Sequence, residues 1–187
     1  SGTVYGKMVE DLGVRADDEV QGHKRMGTVM QALAWLAFIG LGIVFFSDAL
    51  DKQYNPNQNL QTRHSEGGVR EVVLQRNKFG HYVTSGEING KPVTFMLDTG
   101  ATGVAIPQDI ASHLGIPRGR AFSTQTANGR STSYAANLDR VSVGEIELQN
   151  VHAAIAPGLQ MDEILLGMSF LKHIEFSQKG DTLILRQ

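Results

Sequence analysis

Residues 93–103 read Val93-Thr94-Phe95-Met96-Leu97-Asp98-Thr99-Gly100-Ala101-Thr102-Gly103. An apolar, β-prone run ends here on an acidic side chain and passes at once into Thr-Gly, a pair suited to a tight turn. Taken alone, the pattern also fits an ordinary Asp turn at a strand end, so its surroundings decide the reading. Upstream, His81–Ile88 is a second extended run, and Asn89-Gly90 is a strong two-residue hairpin signal leading into Pro92–Leu97. Downstream, Val104–Ile106 is a short strand. Pro107 can then open a helix whose Ile110, Ala111 and Leu114 share one face and which Gly115 stops.

The same texture continues outward. Val69–Gln75 is another extended run, and Ser123–Thr126 and Ser131–Tyr134 flank Asn128-Gly129, a second hairpin candidate. Leu138–Val143, Ile146–Leu148 and Val151–Ala156 follow, with Gly144 and Asn150 at turns. Met168–His173 suits one short helix, and Ile174–Phe176 with Thr182–Leu185 forms a final hairpin around Lys179-Gly180. Many short strands and one or two short helices in about 120 residues predict a mainly β domain, a barrel or a sandwich, over 69–187.

Before that domain the composition changes. From Gly27 to Phe46 the chain reads GTVMQALAWLAFIGLGIVFF, without a charge and with Gln31 as its clearly polar member. A helix of this length spans about 30 Å, the hydrocarbon thickness of a bilayer, which predicts a single transmembrane helix. A cleaved signal is the alternative, with Ser47-Asp48-Ala49 resembling its cleavage site, but the apolar run is longer than such signals use. Lys7, Arg15, Lys24 and Arg25 precede the span, against Lys52 and Arg63 after it. By the positive-inside rule, residues 1–26 form a cytoplasmic tail and the remainder lies outside. That tail is polar, carries acidic residues between Glu10 and Glu19, and reads as a solvated extension; its Ser1-Gly2 start reads as a processing or tag scar. Residues 47–68, rich in Asn, Gln, Ser and Gly, read as a flexible linker.

Composition closes off several function classes. With 41% apolar residues the chain is not generally disordered, and a net charge of −2 gives no support to nucleic-acid binding. Zero cysteines exclude disulfides, cysteine catalysis and thiolate metal sites. The histidines, among them His113, His152 and His173, lack close ligand spacing, so no metal or other cofactor is expected. Gly167-Met168-Ser169-Phe170-Leu171 lacks the second glycine of a serine-hydrolase elbow. Asp109 and Asp162 read as a helix-start charge and a loop residue.

Four elements in order carry a resemblance: LDTGAT at 97–102, VAIP followed by a helix at 104–114, TANG at 126–129, and LLGMSFL at 165–171. Over roughly residues 70–187 the chain resembles retropepsin-like aspartic proteases, in particular their bacterial membrane-anchored single-domain group. The resemblance implies a closed retropepsin-like (acid protease) barrel with Asp98 as catalytic carboxylate. It implies that Thr99, Gly100 and Ala101 brace that residue, with Leu166 and Gly167 packed beside the loop. It makes Thr126, Ala127, Asn128 and Gly129 a flap over a polypeptide substrate.

Carboxylate-catalysed peptide hydrolysis needs two Asp groups sharing one proton, and this chain holds a single Asp-Thr-Gly. The expected active species is therefore a homodimer with one Asp98 from each copy. The resemblance to the bacterial group, with the predicted topology, implies anchoring in a bacterial inner membrane through residues 27–46 with the protease domain in the periplasm. A protease-like module that grips extended peptides without cutting them is the alternative.

Overall fold

The computed structural model describes residues 2–65, 67–126 and 129–187, with side chains described for 27–65, 67–125 and 129–187. The chain divides into two compact units, Ser1–Ala49 and Leu50–Gln187. The first unit belongs to helix α1 (Gly2–Tyr54), whose last residues enter the second. Its apolar stretch leaves Trp35 64% and Phe45 75% exposed, an apolar surface out of keeping with water. Among the described residues one helix is long and apolar enough to cross a membrane, and its place near the N-terminus also fits a signal sequence.

The second unit is built from strands because its sequence alternates. In β2 (Arg70–Gln75) Val72 and Leu74 are fully buried while their neighbours are not. The next strands are β3 (Tyr82–Ile88), β4 (Lys91–Leu97) and β5 (Val104–Pro107), followed by α2 (Gln108–Leu114). Asn89 and Gly90 both take positive φ, 52° and 77°, as a two-residue turn between twisted strands demands. α2 ends on Gly115 in the left-handed conformation, and Ala111 and Leu114 are its buried residues. Then come β6 (Ala121–Thr126), β7 (Gly129–Val143) and β8 (Ile146–Ala156). The chain closes with β9 (Ile164–Leu166), α3 (Met168–Leu171), β10 (Glu175–Lys179) and β11 (Thr182–Arg186).

Pairing in the order β3-β4-β9-β5-β8-β7 returns to β3 through Glu87↔Ser142 and Ile88↔Val141, which closes the barrel. Most neighbours are antiparallel, whereas β4–β9 and β5–β8 are parallel. Phe95, Ile106, Leu138, Ile155, Leu166 and Phe170 are fully buried core residues. β6 hangs from β7 as the outer arm of a hairpin. A second sheet, in the order β1-β2-β11-β10, includes the short strand β1 (Thr62–His64). Across its β2–β11 pair Arg186 Nε meets Glu71 Oε2 at 2.8 Å, and the carboxylate raises the guanidinium pKa above its ordinary value.

Two expectations are corrected. Where a flexible linker is expected over 47–68, the described residues up to His64 are built into the fold. α1 continues to Tyr54, where Asn55 N–H still donates to Asp51 O and Pro56 then prevents further helix. Asn57 is only 5% exposed and stitches β2 to β3. Its Nδ2 donates to the carbonyls of Gln75 and Val83 at 2.9 and 2.7 Å, and its Oδ1 accepts from Gln75 N–H at 2.7 Å. The polar composition here supplies amide side chains that replace backbone partners, so polarity marks bonding rather than solvation. The second correction is that Asn150 is no turn. Its φ of 54° is absorbed inside β8, and the flanking pairs Arg140↔Gln149 and Leu138↔Val151 keep register.

Candidate active site

β4 delivers Asp98 to its C-terminal end, and the backbone fixes the loop that follows. Asp98 N–H donates to Leu166 O at 3.2 Å, which joins the loop to the neighbouring parallel strand β9. Ala101 N–H donates to Asp98 O at 3.2 Å, closing a turn over Thr99 and Gly100. Within it Gly100 N–H donates to Asp98 Oδ1 at 2.8 Å. One carboxylate oxygen is thereby oriented by a backbone amide. Asp98 is half-buried, while Thr99 and Gly100 are exposed. The geometry presents an oriented carboxylate at a surface with its turn uncovered.

The far side of the loop is held by the Leu166-Gly167 segment. Met168 N–H donates to Ala101 O at 2.9 Å. Gly167 O accepts from Phe170 and Leu171 N–H, both at 3.1 Å, which starts α3 directly behind the loop. A Cβ on Gly167 would sit 2.6 Å from the Ala101 carbonyl oxygen and closer still to that of Gly103. Only a glycine lets these two backbones meet. The structure thus brings Asp98, Thr99, Gly100, Ala101, Leu166 and Gly167 together.

The hairpin formed by β6 and β7 pairs as far as Thr126↔Gly129, with Gly129 at φ 108°. Thr124 Oγ1 and Ser133 Oγ bond across it at 2.7 Å. Ala127 and Asn128, two of the four expected flap residues, lie outside the described residues, as does the side chain of Thr126.

Ser169 is a site-supporting residue that sequence reasoning did not single out. Its Oγ accepts from Val104 N–H at 3.0 Å and donates to His152 O at 2.9 Å, tying the strand that leaves the Asp98 loop to β8. Its position directly after Gly167-Met168 was a signal, but a hydroxyl in a short helix has many ordinary uses. Asp109, His113 and Asp162 come together instead around a separate cleft of about 410 Å³ beside α2, lined also by Val93, Ile110 and Leu114.

Residues 84–173 match the family model described as "gag-polyprotein putative aspartyl protease". Over 181 residues the chain is 32% identical to the uncharacterized protein in the cobV 5′ region of Sinorhizobium sp, covering 89% of this chain and 77% of the relative. It is also 32% identical over 121 residues to the uncharacterized protein RP867 of Rickettsia prowazekii (strain Madrid E), covering 63% of this chain and 52% of the relative. The crystal structure of a retropepsin-like aspartic protease from Rickettsia conorii superimposes with a TM-score of 0.54 at 29% identity, covering 68% of this chain and 94% of that one. The chain belongs to the bacterial retropepsin-like aspartic protease family.

Proposed function

We propose that this protein is a membrane-anchored aspartic endopeptidase that hydrolyses peptide bonds between the Asp98 carboxylates of two copies. One observation carries the reading: a single Asp-Thr-Gly turn per chain is held by backbone bonds from Leu166 and Gly100, with Thr99 and Gly100 left exposed. An oriented but lone carboxylate is half of the required machinery, and a two-fold partner supplies an identical second half. In the joined site the two acids hold one proton between them. The ionised Asp98 takes a proton from water as the oxygen attacks the peptide carbonyl, and the protonated one donates to the carbonyl oxygen. The tetrahedral intermediate collapses as a carboxyl proton passes to the departing amide nitrogen. The β6–β7 hairpin, paired as far as Thr126↔Gly129, serves as the flap that encloses the substrate.

The exposed apolar helix and the excess of Lys and Arg ahead of residue 27 support an anchored chain with its tail in the cytoplasm and its β domain in the periplasm. Confinement to a bilayer raises the local concentration of copies and favours their pairing. The test uses the full chain and its Asp98→Asn form in detergent micelles, offered a diverse peptide library across about pH 3.5–7, where a shared-proton pair operates. Cleavage by the parent that rises more than linearly with protein concentration, and none by Asp98→Asn, is the expected result. Equal cleavage by both moves the chemistry away from Asp98, and peptide binding without cleavage makes the domain a binding module.

A further inference from the structure

The end of helix α1 is bonded to the residue just before β9, the strand whose last carbonyl accepts Asp98 N–H. Tyr54 hydroxyl donates to Glu163 Oε1 at 2.5 Å, and Asn77 Nδ2 donates to the Tyr54 carbonyl at 2.9 Å. Both the side chain and the backbone of Tyr54 are thereby fixed to the β unit. Glu163 is only 6% exposed, so its carboxylate depends on protein donors for what water would otherwise supply.

Glu163 immediately precedes β9, which has three residues. β9 lies between β4 and β5, paired with β5 through Ala105↔Leu165 alone and with β4 through Phe95↔Ile164 to Leu97↔Leu166. Its last carbonyl, Leu166 O, accepts Asp98 N–H. A strand this short has few bonds of its own to fix its register. Sliding it by one residue would turn Ile164 and Leu166 out of the core and withdraw the acceptor from Asp98.

We infer that Tyr54 and Glu163 are positioning residues for Asp98, so that the segment ending the apolar helix sets the geometry of the catalytic loop. The kinetic part rests on the protease reading above; the structural part does not. Tyr54 and Glu163 are remote from the reacting atoms and act through β9. Losing the hydroxyl leaves a buried carboxylate without this donor at the very start of the strand, and the disturbance reaches Leu166 O within the strand's length.

The experiment uses the full chain in detergent micelles, comparing the parent with Tyr54→Phe, Glu163→Met, which removes the acceptor at similar size, and the double variant. Turnover is expressed per active site titrated with a tight-binding peptide transition-state mimic, so unfolded protein does not count. The expected result is a kcat lower by about five- to ten-fold in each single variant with KM little changed. The double variant falls no further than the worse single, because both act through one bond. Hydrogen exchange is followed in parallel: amides of 97–101 exchange faster in Tyr54→Phe, while those of β7 and β8 remain at parental rates. Unchanged kcat per titrated site in both single variants, additive losses in the double, or unchanged exchange at 97–101 would overturn the inference. If the parent itself cleaves nothing, the protease reading fails, and the exchange measurement alone decides whether Tyr54 positions the loop.

Discussion

Gly167 and Ala101 meet backbone to backbone: the residue after Gly167 donates to the Ala101 carbonyl at 2.9 Å, and a Cβ on Gly167 would stand 2.6 Å from that same oxygen. The close approach lets β9 and α3 support the Asp98 loop from behind. Gly167→Ala must push these segments apart, with an expected loss of about 2–4 kcal/mol and of peptidase activity. Gly103→Ala is the control, because its Cβ would meet Ser169 Oγ at an ordinary 3.6 Å. Urea unfolding of both variants checks the contrast, and equal stability of the two would contradict the geometry.

A site assembled from two copies has a stoichiometric signature. When parent and Asp98→Asn chains are mixed in equal amounts and allowed to exchange partners, only parent–parent pairs keep two ionisable Asp98 residues. Activity per total protein should fall to about one quarter of the unmixed parent, not to one half. A value of one half means that each chain works alone.

In the proposed two-copy site, the side chain after Gly100 decides whether the carboxylates have a hydroxyl beside them. Ala101 offers no hydroxyl, whereas a serine there can donate to the carboxylates. Such a bond favours the ionised form, so the state holding a single proton is reached at lower pH. Ala101→Ser should therefore move the pH optimum of cleavage acidwards by about half to one unit. An unmoved profile, measured on one peptide across the acid range, counts against this role.

Asn57 replaces backbone pairing between β2 and β3 with three side-chain bonds of 2.7–2.9 Å, in a site almost closed to water. Asn57→Ala leaves the Gln75 amide and two carbonyls without these partners, at an expected cost of about 2–4 kcal/mol. Asn59→Ala, at an exposed neighbouring position, should change stability by less than about 0.5 kcal/mol. Denaturant midpoints of the two variants decide the point.

The β elements were legible because each is bounded by local chemistry. Asn89-Gly90 supplies the positive φ of its turn, Pro107 and Gly115 frame α2, and alternation in β2 marks a buried face. The Asp98 loop and its LLG support were legible because both are contiguous strings whose order carries a resemblance. Their contact is not local, and the bond from Asp98 N–H to Leu166 O spans a separation no periodicity reveals. The bonding roles of Asn57, Glu163 and Ser169 are hidden in the sequence for a related reason. A polar side chain that serves a distant backbone looks in sequence like one that serves water. The segment around Asn57 consequently reads as a linker, and Asn150 as a turn, although β8 keeps its register on both sides of that positive φ.

The folded β unit begins at Leu50, and the apolar stretch ends at Phe46. A cut that parts the whole β unit from the apolar stretch falls in the few residues between them, 47–49. A cut after Asn57 would instead part from the β unit the amide that joins β2 to β3 and the tyrosine that reaches Glu163. Release at one side of this boundary yields a domain that keeps its fastenings, and release at the other discards them.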